Sequence, residues 1–101
     1  MEIEFDPDKE AANLAKHRIS LRRAVDMVIL EFQSDTRFAY GEVRYRAWGM
    51  IDGLAHCLVF TTRNGRTRAI SLRRAHKREM DRYVPRQAWQ KYYWRSEDDT
   101  Q

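Results

Sequence analysis

Hydrophobic and polar positions alternate most cleanly in the second half of the chain. Val43, Tyr45 and Ala47 interleave with Arg44, Arg46 and Trp48, and Asp52-Gly53 then interrupts the pattern. Residues 55–63 and 66–74, rich in Val, Phe, Thr and Ile, flank Asn64-Gly65. A period of two predicts half-buried strands, and Asn-Gly or Asp-Gly supplies the two φ > 0 residues of a type I′ hairpin turn. The expected unit is a three-stranded antiparallel meander. Two-residue loops would set Arg63 opposite Arg66, Thr61 opposite Arg68, Val59 opposite Ile70 and Cys57 opposite Leu72. Across the other hairpin, Glu42 would face Arg63, Arg44 Thr61, Arg46 Val59, and Trp48 Cys57. Alternation then collects Glu42, Arg44, Arg46, Trp48, Thr61, Arg63, Arg66, Arg68 and Arg74 on one cationic face, with Val59, Ile70 and Leu72 behind. Val43, Tyr45, Ala47, Leu58, Phe60, Thr62, Ala69 and Ser71 form the core face, onto which His56 also projects.

The first half reads as helical. Glu2-Ile3-Glu4-Phe5 alternates as a short edge strand would. Asp6 is an N-cap and Pro7 a first helical residue, which predicts a helix to about His17. Ser20 caps a second helix, on which Leu21, Ala24, Val25 and Val28 share a stripe. Residues 33–36 read as a turn, and residues 38–40 as the start of a strand. A C-terminal helix opens near His76, with Glu79 in the capping-box position, and stops near Pro85. Its Met80 and Tyr83 would cover the apolar part of the cationic face. The chain is thus read as α+β: two N-terminal helices, an antiparallel sheet of three to four strands and a C-terminal helix. One domain is expected over residues 1–85. Residues 86–101 form an extension with Trp89, Tyr92, Tyr93 and Trp94, which either makes an interface or folds back on the body, and then an acidic tail.

Charge sharpens this picture. The 101 residues carry a net charge of +4, with 15 Arg against 4 Lys, and the pI is about 9.5. Arginine suits forked contacts to phosphate. Residues 1–36 sum to −3 and residues 60–82 to +6, so a polyanion would meet the hairpin and the helix after it. One cysteine, no apolar leader and no long apolar run fit a reducing cytoplasm and no membrane contact. Scattered histidines and the absence of a Gly-rich loop leave no expected metal or cofactor.

A metal-free ribonuclease deprotonates a 2′-hydroxyl, stabilises charge growing on phosphorus and protonates the leaving 5′-oxygen. Guanidinia suit the second task, and a carboxylate or histidine the others. Glu42 is the candidate base and His17, beside Lys16, the candidate acid, with Arg63 and Arg68 on the scissile phosphate. Arg44, Arg46, Arg66, Arg73, Arg74 and Lys77 are candidate RNA contacts. The other class is a non-catalytic module that reads only nucleic-acid backbone.

The ordered set Phe5-Asp6-Pro7-x-Lys9, Asn13-x-x-Lys16-His17-x-Ile19-Ser20, Gly41-Glu42-x-Arg44, Thr61-x-Arg63, Arg68-x-Ile70-Ser71-x-Arg73-Arg74-Ala75 and Arg78-Glu79 resembles the BrnT-type toxins of bacterial type II toxin–antitoxin systems. The resemblance covers about residues 3–84. It implies a compact ribonuclease with a RelE-like fold, RNA cleavage that halts translation, and a BrnA-type antitoxin. It also implies promoter DNA bound only through the antitoxin complex, and admits homo- or hetero-oligomers. Position 18 departs from it, being Arg where the family usually has Gly. So does the short connection from Phe32 to Gly41, and His76 stands where Thr is usual.

Overall fold

A computed structural model of the chain describes residues 2–92. The elements run β1 (Ile3–Glu4), α1 (Pro7–His17), a 3₁₀ segment (Leu21–Asp26), β2 (Val28–Ser34), β3 (Tyr45–Ile51), β4 (Leu54–Arg63), β5 (Arg66–Arg74), α2 (Lys77–Tyr83), α3 (Arg86–Trp89) and a last 3₁₀ turn (Gln90–Tyr92). The class is α+β, and the sheet is larger than the meander. Five strands take the order β1-β5-β4-β3-β2, with β1 parallel to β5 and the other pairs antiparallel.

Local signals set the helix ends. The Asp6 side chain accepts from the Asp8 amide at 2.7 Å, and Ser20 accepts from the Arg22 amide at 3.1 Å. Helix α1 ends on Arg18, whose φ of 61° closes the left-handed cap that glycine would take without strain. The second N-terminal helix is only the 3₁₀ segment. Val28, expected at the end of its apolar stripe, instead begins β2. That strand carries an extra residue at Leu30, between the pairs Ile29–Gly49 and Glu31–Trp48, so its sequence does not alternate cleanly. Residues 38–40 are not a strand, and Glu42 lies in the connection before β3 rather than in it.

Both hairpins turn as expected. Asp52-Gly53 and Asn64-Gly65 have φ of 54°/76° and 55°/76°. The β3–β4 register matches the expected one, with Arg46 opposite Val59 and Trp48 opposite Cys57. On β5 the match holds for Arg63–Arg66 and Thr61–Arg68 and then breaks. Phe60 pairs with Ala69 but Val59 pairs with Ser71, so Ile70 is a bulge residue. One extra residue reverses every later side chain. Leu72 therefore sits opposite Leu58 in the core, Arg73 opposite Cys57, and Arg74 opposite buried His56. The expected places of Leu72 and Arg74 on the cationic face, and of Ser71 on the core face, are corrected by this bulge.

The sheet has two covered faces. On one, the 3₁₀ segment lays Leu21 and Ala24 over Ala47, Ile51, Leu58, Ala69 and Leu72. On the other, α2 and α3 lay Met80, Val84 and Trp89 over Trp48, Met50, Ala55 and Cys57. Trp48 is fully buried, with Tyr83 stacked on it at 4.4 Å between ring centroids. Met80 and Tyr83 thus cover this face as expected, and Trp89 of the C-terminal extension folds back into the body. Tyr93, Trp94 and the acidic tail lie outside the described residues.

Two substitutions test these constraints in opposite directions. A Cβ on Gly49 would collide with the Val28 carbonyl oxygen and stand 2.9 Å from Ile29 Cα, both backbone atoms. Gly49→Ala is expected to destabilise by at least about 2 kcal/mol, read from the midpoint of urea unfolding. Arg18→Gly relieves a left-handed residue and should stabilise by roughly 0.5–1 kcal/mol, net of the extra freedom glycine has when unfolded.

Candidate active site: a cationic groove between helix and sheet

Helix α1 runs along the outer edge of β5, and Asn13 fixes it there. The Leu72 amide donates to Asn13 Oδ1 at 3.0 Å, and Asn13 Nδ2 donates to the carbonyls of Leu72 (2.8 Å) and Ile19 (2.9 Å). A side-chain amide thereby pairs the strand edge that β1, matched only to Thr67 and Arg68, leaves uncovered. Lys9, Ala12, Asn13, Lys16 and His17 form one stripe of α1, spaced i, i+3, i+4, i+7 and i+8. That stripe and the sheet face bearing Arg46, Cys57, Val59, Ser71 and Arg73 enclose a groove of about 420 Å³, with Arg37 on its rim. Among the described residues, no carboxylate lines it.

Each guanidinium in the groove is oriented from behind. Arg73 donates through both terminal nitrogens to Glu79 of α2 at 2.9 Å each, and Trp48 Nε1 donates to the same carboxylate at 3.0 Å. Glu79 therefore serves the groove and not the capping box: His76 sits at the helix cap without a side-chain bond. Burial alone would raise the Glu79 pKa, but the Arg73 fork and the indole N–H outweigh it and hold the carboxyl below its ordinary value. Arg37 forks onto buried Asp35 at 2.7 and 2.8 Å, and Tyr40 Oη donates to Asp35 at 3.0 Å. The Arg37 bond is the main reason that the Asp35 carboxyl stays far below the usual carboxylate range. Arg46 lies with its guanidinium carbon 5.1 Å from the Trp48 ring centre, 5.0 Å from that of Tyr83, and its Nε 4.0 Å from Asp35.

His17 is the groove's titratable base. Burial first, then the Lys16 and Arg73 cations, hold its pKa below the ordinary 6.5. A neutral imidazole among cations can take a proton at neutral pH and is costly to keep charged.

The expected site residues divide between this groove and the hairpin end of the sheet. Lys16, His17, Arg46 and Arg73 come together. Glu42 does not line the groove; it accepts from Arg44 Nε at 3.2 Å and lies 4.0 Å from Arg63. Arg68 is 3.5 Å from Glu4 and 3.9 Å from Asp6, and Arg66 is 3.9 Å from Glu4. Lys77 pairs with Asp81 at 3.8 Å along α2. Arg74 is on the opposite face. Two groove residues were not foreseen as site residues, Lys9 and Arg37. The helical spacing of Lys9 with Asn13 and Lys16 was the available signal for the first.

Residues 5–79 match the family described as "Ribonuclease toxin, BrnT, of type II toxin-antitoxin system". The chain belongs to the BrnT family. No curated protein matches it. A BrnT ribonuclease toxin has RNA as its substrate and a protein antitoxin as its partner. In this BrnT chain no helix among the described residues is long and apolar enough to cross a membrane.

The Arg73–Glu79–Trp48 bonds carry a stability consequence. Glu79→Ala strands a guanidinium and a buried indole N–H and should cost about 2–3 kcal/mol in chemical denaturation, with Glu79→Gln costing less. The Glu79 pKa is depressed on folding, so its stabilisation is present above the unfolded value of 4.5 and fades as pH falls through the lower folded value. The gap between wild type and Glu79→Gln should therefore narrow on acidification below about pH 4.5, in urea midpoints measured across that range.

Proposed function

We propose that this toxin is a metal-independent endoribonuclease that cuts RNA by transesterification and so halts translation in the cytoplasm. The observation that carries the reading is His17, its pKa held below the ordinary value in a groove that, among the described residues, is lined by lysine and arginine and by no carboxylate. A carboxylate-free lining suits a phosphate directly, without an intervening cation. His17 takes the proton of the 2′-hydroxyl as its oxygen attacks phosphorus. Arg46 and Arg73 meet the charge that grows on the phosphoryl oxygens; because they are already oriented by Trp48, Tyr83 and Glu79, little reorganisation is needed. Lys16 stands beside His17 as the N–H donor for the departing 5′-oxygen. The products are a 2′,3′-cyclic phosphate and a 5′-hydroxyl. Arg44, Arg63, Arg66 and Arg68 extend the positive surface at the hairpin end, where the flanking backbone would run.

This reading moves the base from Glu42 to His17, because Glu42 is engaged by Arg44 and Arg63 outside the groove. The partner is a BrnA-type antitoxin, through which the complex would reach promoter DNA. Trp48, which alternation sets beside the cationic arginines, is buried under α2. The exposed apolar residues instead include Ile29 and Phe32, which with Tyr45 and Phe60 line an apolar groove of about 410 Å³ at β2.

Purified protein should cleave single-stranded RNA in EDTA and leave a 2′-deoxy substitution at the cut site intact. His17→Ala should lower kcat by about 10²–10⁴-fold, and Arg73→Ala by about 10²–10³-fold. The acid limb of the kcat/KM profile should have its midpoint below 6.5, as a base with a depressed pKa requires. Cleavage of DNA, loss of activity in EDTA, or a His17→Ala enzyme of undiminished rate would each overturn the mechanism.

A further inference from the structure

Phe38 is 68 % exposed, the most exposed of the large apolar side chains among the described residues. It stands on a built loop. The Asp35 amide donates to the Arg44 carbonyl at 2.7 Å and closes the loop at its base. Inside, the Asp35 carboxylate takes the Arg37 fork and the Tyr40 hydroxyl. Thr61 Oγ1 donates to the Val43 carbonyl at 2.6 Å and ties the far side to β4. Phe38 meets the Tyr40 ring edge-on, 5.8 Å between centroids and 74° between planes, while the Arg44 guanidinium carbon stands 4.1 Å from the centre of the Tyr40 ring. The phenyl ring is thus propped by Tyr40, which in turn carries the Arg44 guanidinium, and is largely exposed.

Its position in the chain gives the exposure a use. Arg37, the residue before it, lines the cationic groove, and consecutive Cα atoms are about 3.8 Å apart. A nucleotide whose phosphate meets Arg37 would bring its base within reach of Phe38. We propose that Phe38 is a stacking platform for an unpaired RNA base next to the cationic groove. The inference rests on the proposed ribonuclease reading for the identity of the strand, and it adds a substrate class: single-stranded RNA whose base can splay out. Every base offers a π-face, so the platform favours unpaired over paired RNA more than one sequence over another. Arg37 in the adjoining groove and Arg44 on the supporting Tyr40 ring favour this occupant over an apolar protein segment, because cations so close suit the phosphates of a strand whose base is stacked.

The test uses the full chain and a short single-stranded 2′-O-methyl oligonucleotide, which binds but cannot be cut, with one 2-aminopurine. Scanning the probe along the sequence should find a position at which the wild type quenches its fluorescence. Phe38→Ala should abolish that quenching and weaken binding about tenfold. Phe38→Leu should behave like Phe38→Ala, since it keeps apolar bulk without a ring, and Phe38→Trp should retain both signals. An abasic residue at the same position should weaken the wild type and leave Phe38→Ala unaffected. Equal melting temperatures would show that the fold is untouched. Binding within twofold of wild type by Phe38→Ala, or equal loss with the abasic strand, overturns the platform. So does a Phe38→Ala protein that binds RNA normally but binds its purified antitoxin more weakly. The matched natural RNA separates the two readings: quenching without cleavage removes the catalytic reading and keeps the platform, and cleavage without Phe38-dependent quenching does the reverse.

Discussion

Ile70 has no partner on β4, and the chemistry of the groove follows from that surplus residue. Pairing runs from Arg66 to Ala69 in one phase and from Ser71 to Arg74 in the other. Had the first phase continued, Leu72 would point into the groove opposite Cys57, Ser71 would take its place opposite Leu58 in the cluster of Leu21 and Ala24, and Arg73 would face His56 on the far side of the sheet. A serine hydroxyl would then stand where Leu72 is fully buried, the fold would lose its second core residue on β5, and the groove would lose the Arg73 guanidinium. With the bulge, Leu72 fills that cluster and Arg73 emerges where α2 can reach it. The Leu72 backbone is also where Asn13 anchors α1. Sheet register, helix position and the placement of a cation thus depend on the same few residues.

A groove lined with five cations and a histidine would repel itself if those charges stood free. Here the carboxylates that compensate them are placed behind the arginines. Glu79 takes Arg73 from the α2 side, and Asp35 takes Arg37 from the loop side. Arg46 is held by two aromatic rings and its approach to Asp35. The forks are rigid and partly shielded, so the positive ends facing the open groove cost less than their number suggests. At the hairpin end the arrangement differs. Glu4, Asp6 and Glu42 share the surface with Arg63, Arg66 and Arg68. Exposed pairs of that kind are weak and salt-sensitive, and they exchange readily for phosphate.

Much of this was legible in the sequence, and what was not has specific causes. Asn64-Gly65 and Asp52-Gly53 announce their turns because few other residues accept two positive φ values in succession. Asp6-Pro7 and Ser20 announce helix starts through side-chain chemistry. The BrnT family was likewise legible in the order and spacing of the motifs. The bulge was not, because Ile70 is an ordinary strand residue, and its displacement is decided by how Leu72 and Arg73 pack after the sheet closes. Val28 shares a helical stripe by spacing alone, while β2 carries no clean strand signal because Leu30 breaks its alternation. Pairing Glu42 with Arg63 across the sheet was right in proximity. The inference that it joins His17 failed, because facing pairs say nothing of which helix covers which strip of the sheet.

The family match ends at Glu79, the residue that holds Arg73, yet the support of that residue continues beyond it. Trp48, which shares Glu79 with Arg73, is buried under Tyr83, and the same cluster includes Met80, Val84 and Trp89. Tyr83 also forms one wall behind Arg46. Residues 80–92 thus make no contact with the groove's open side but fix the side chains that line it. A bidentate fork tolerates little displacement before one of its two bonds is lost, and the cluster that buries Trp48 beside that fork includes Trp89. In this chain the aromatic part of the C-terminal extension that the structure describes belongs to the scaffold of the site.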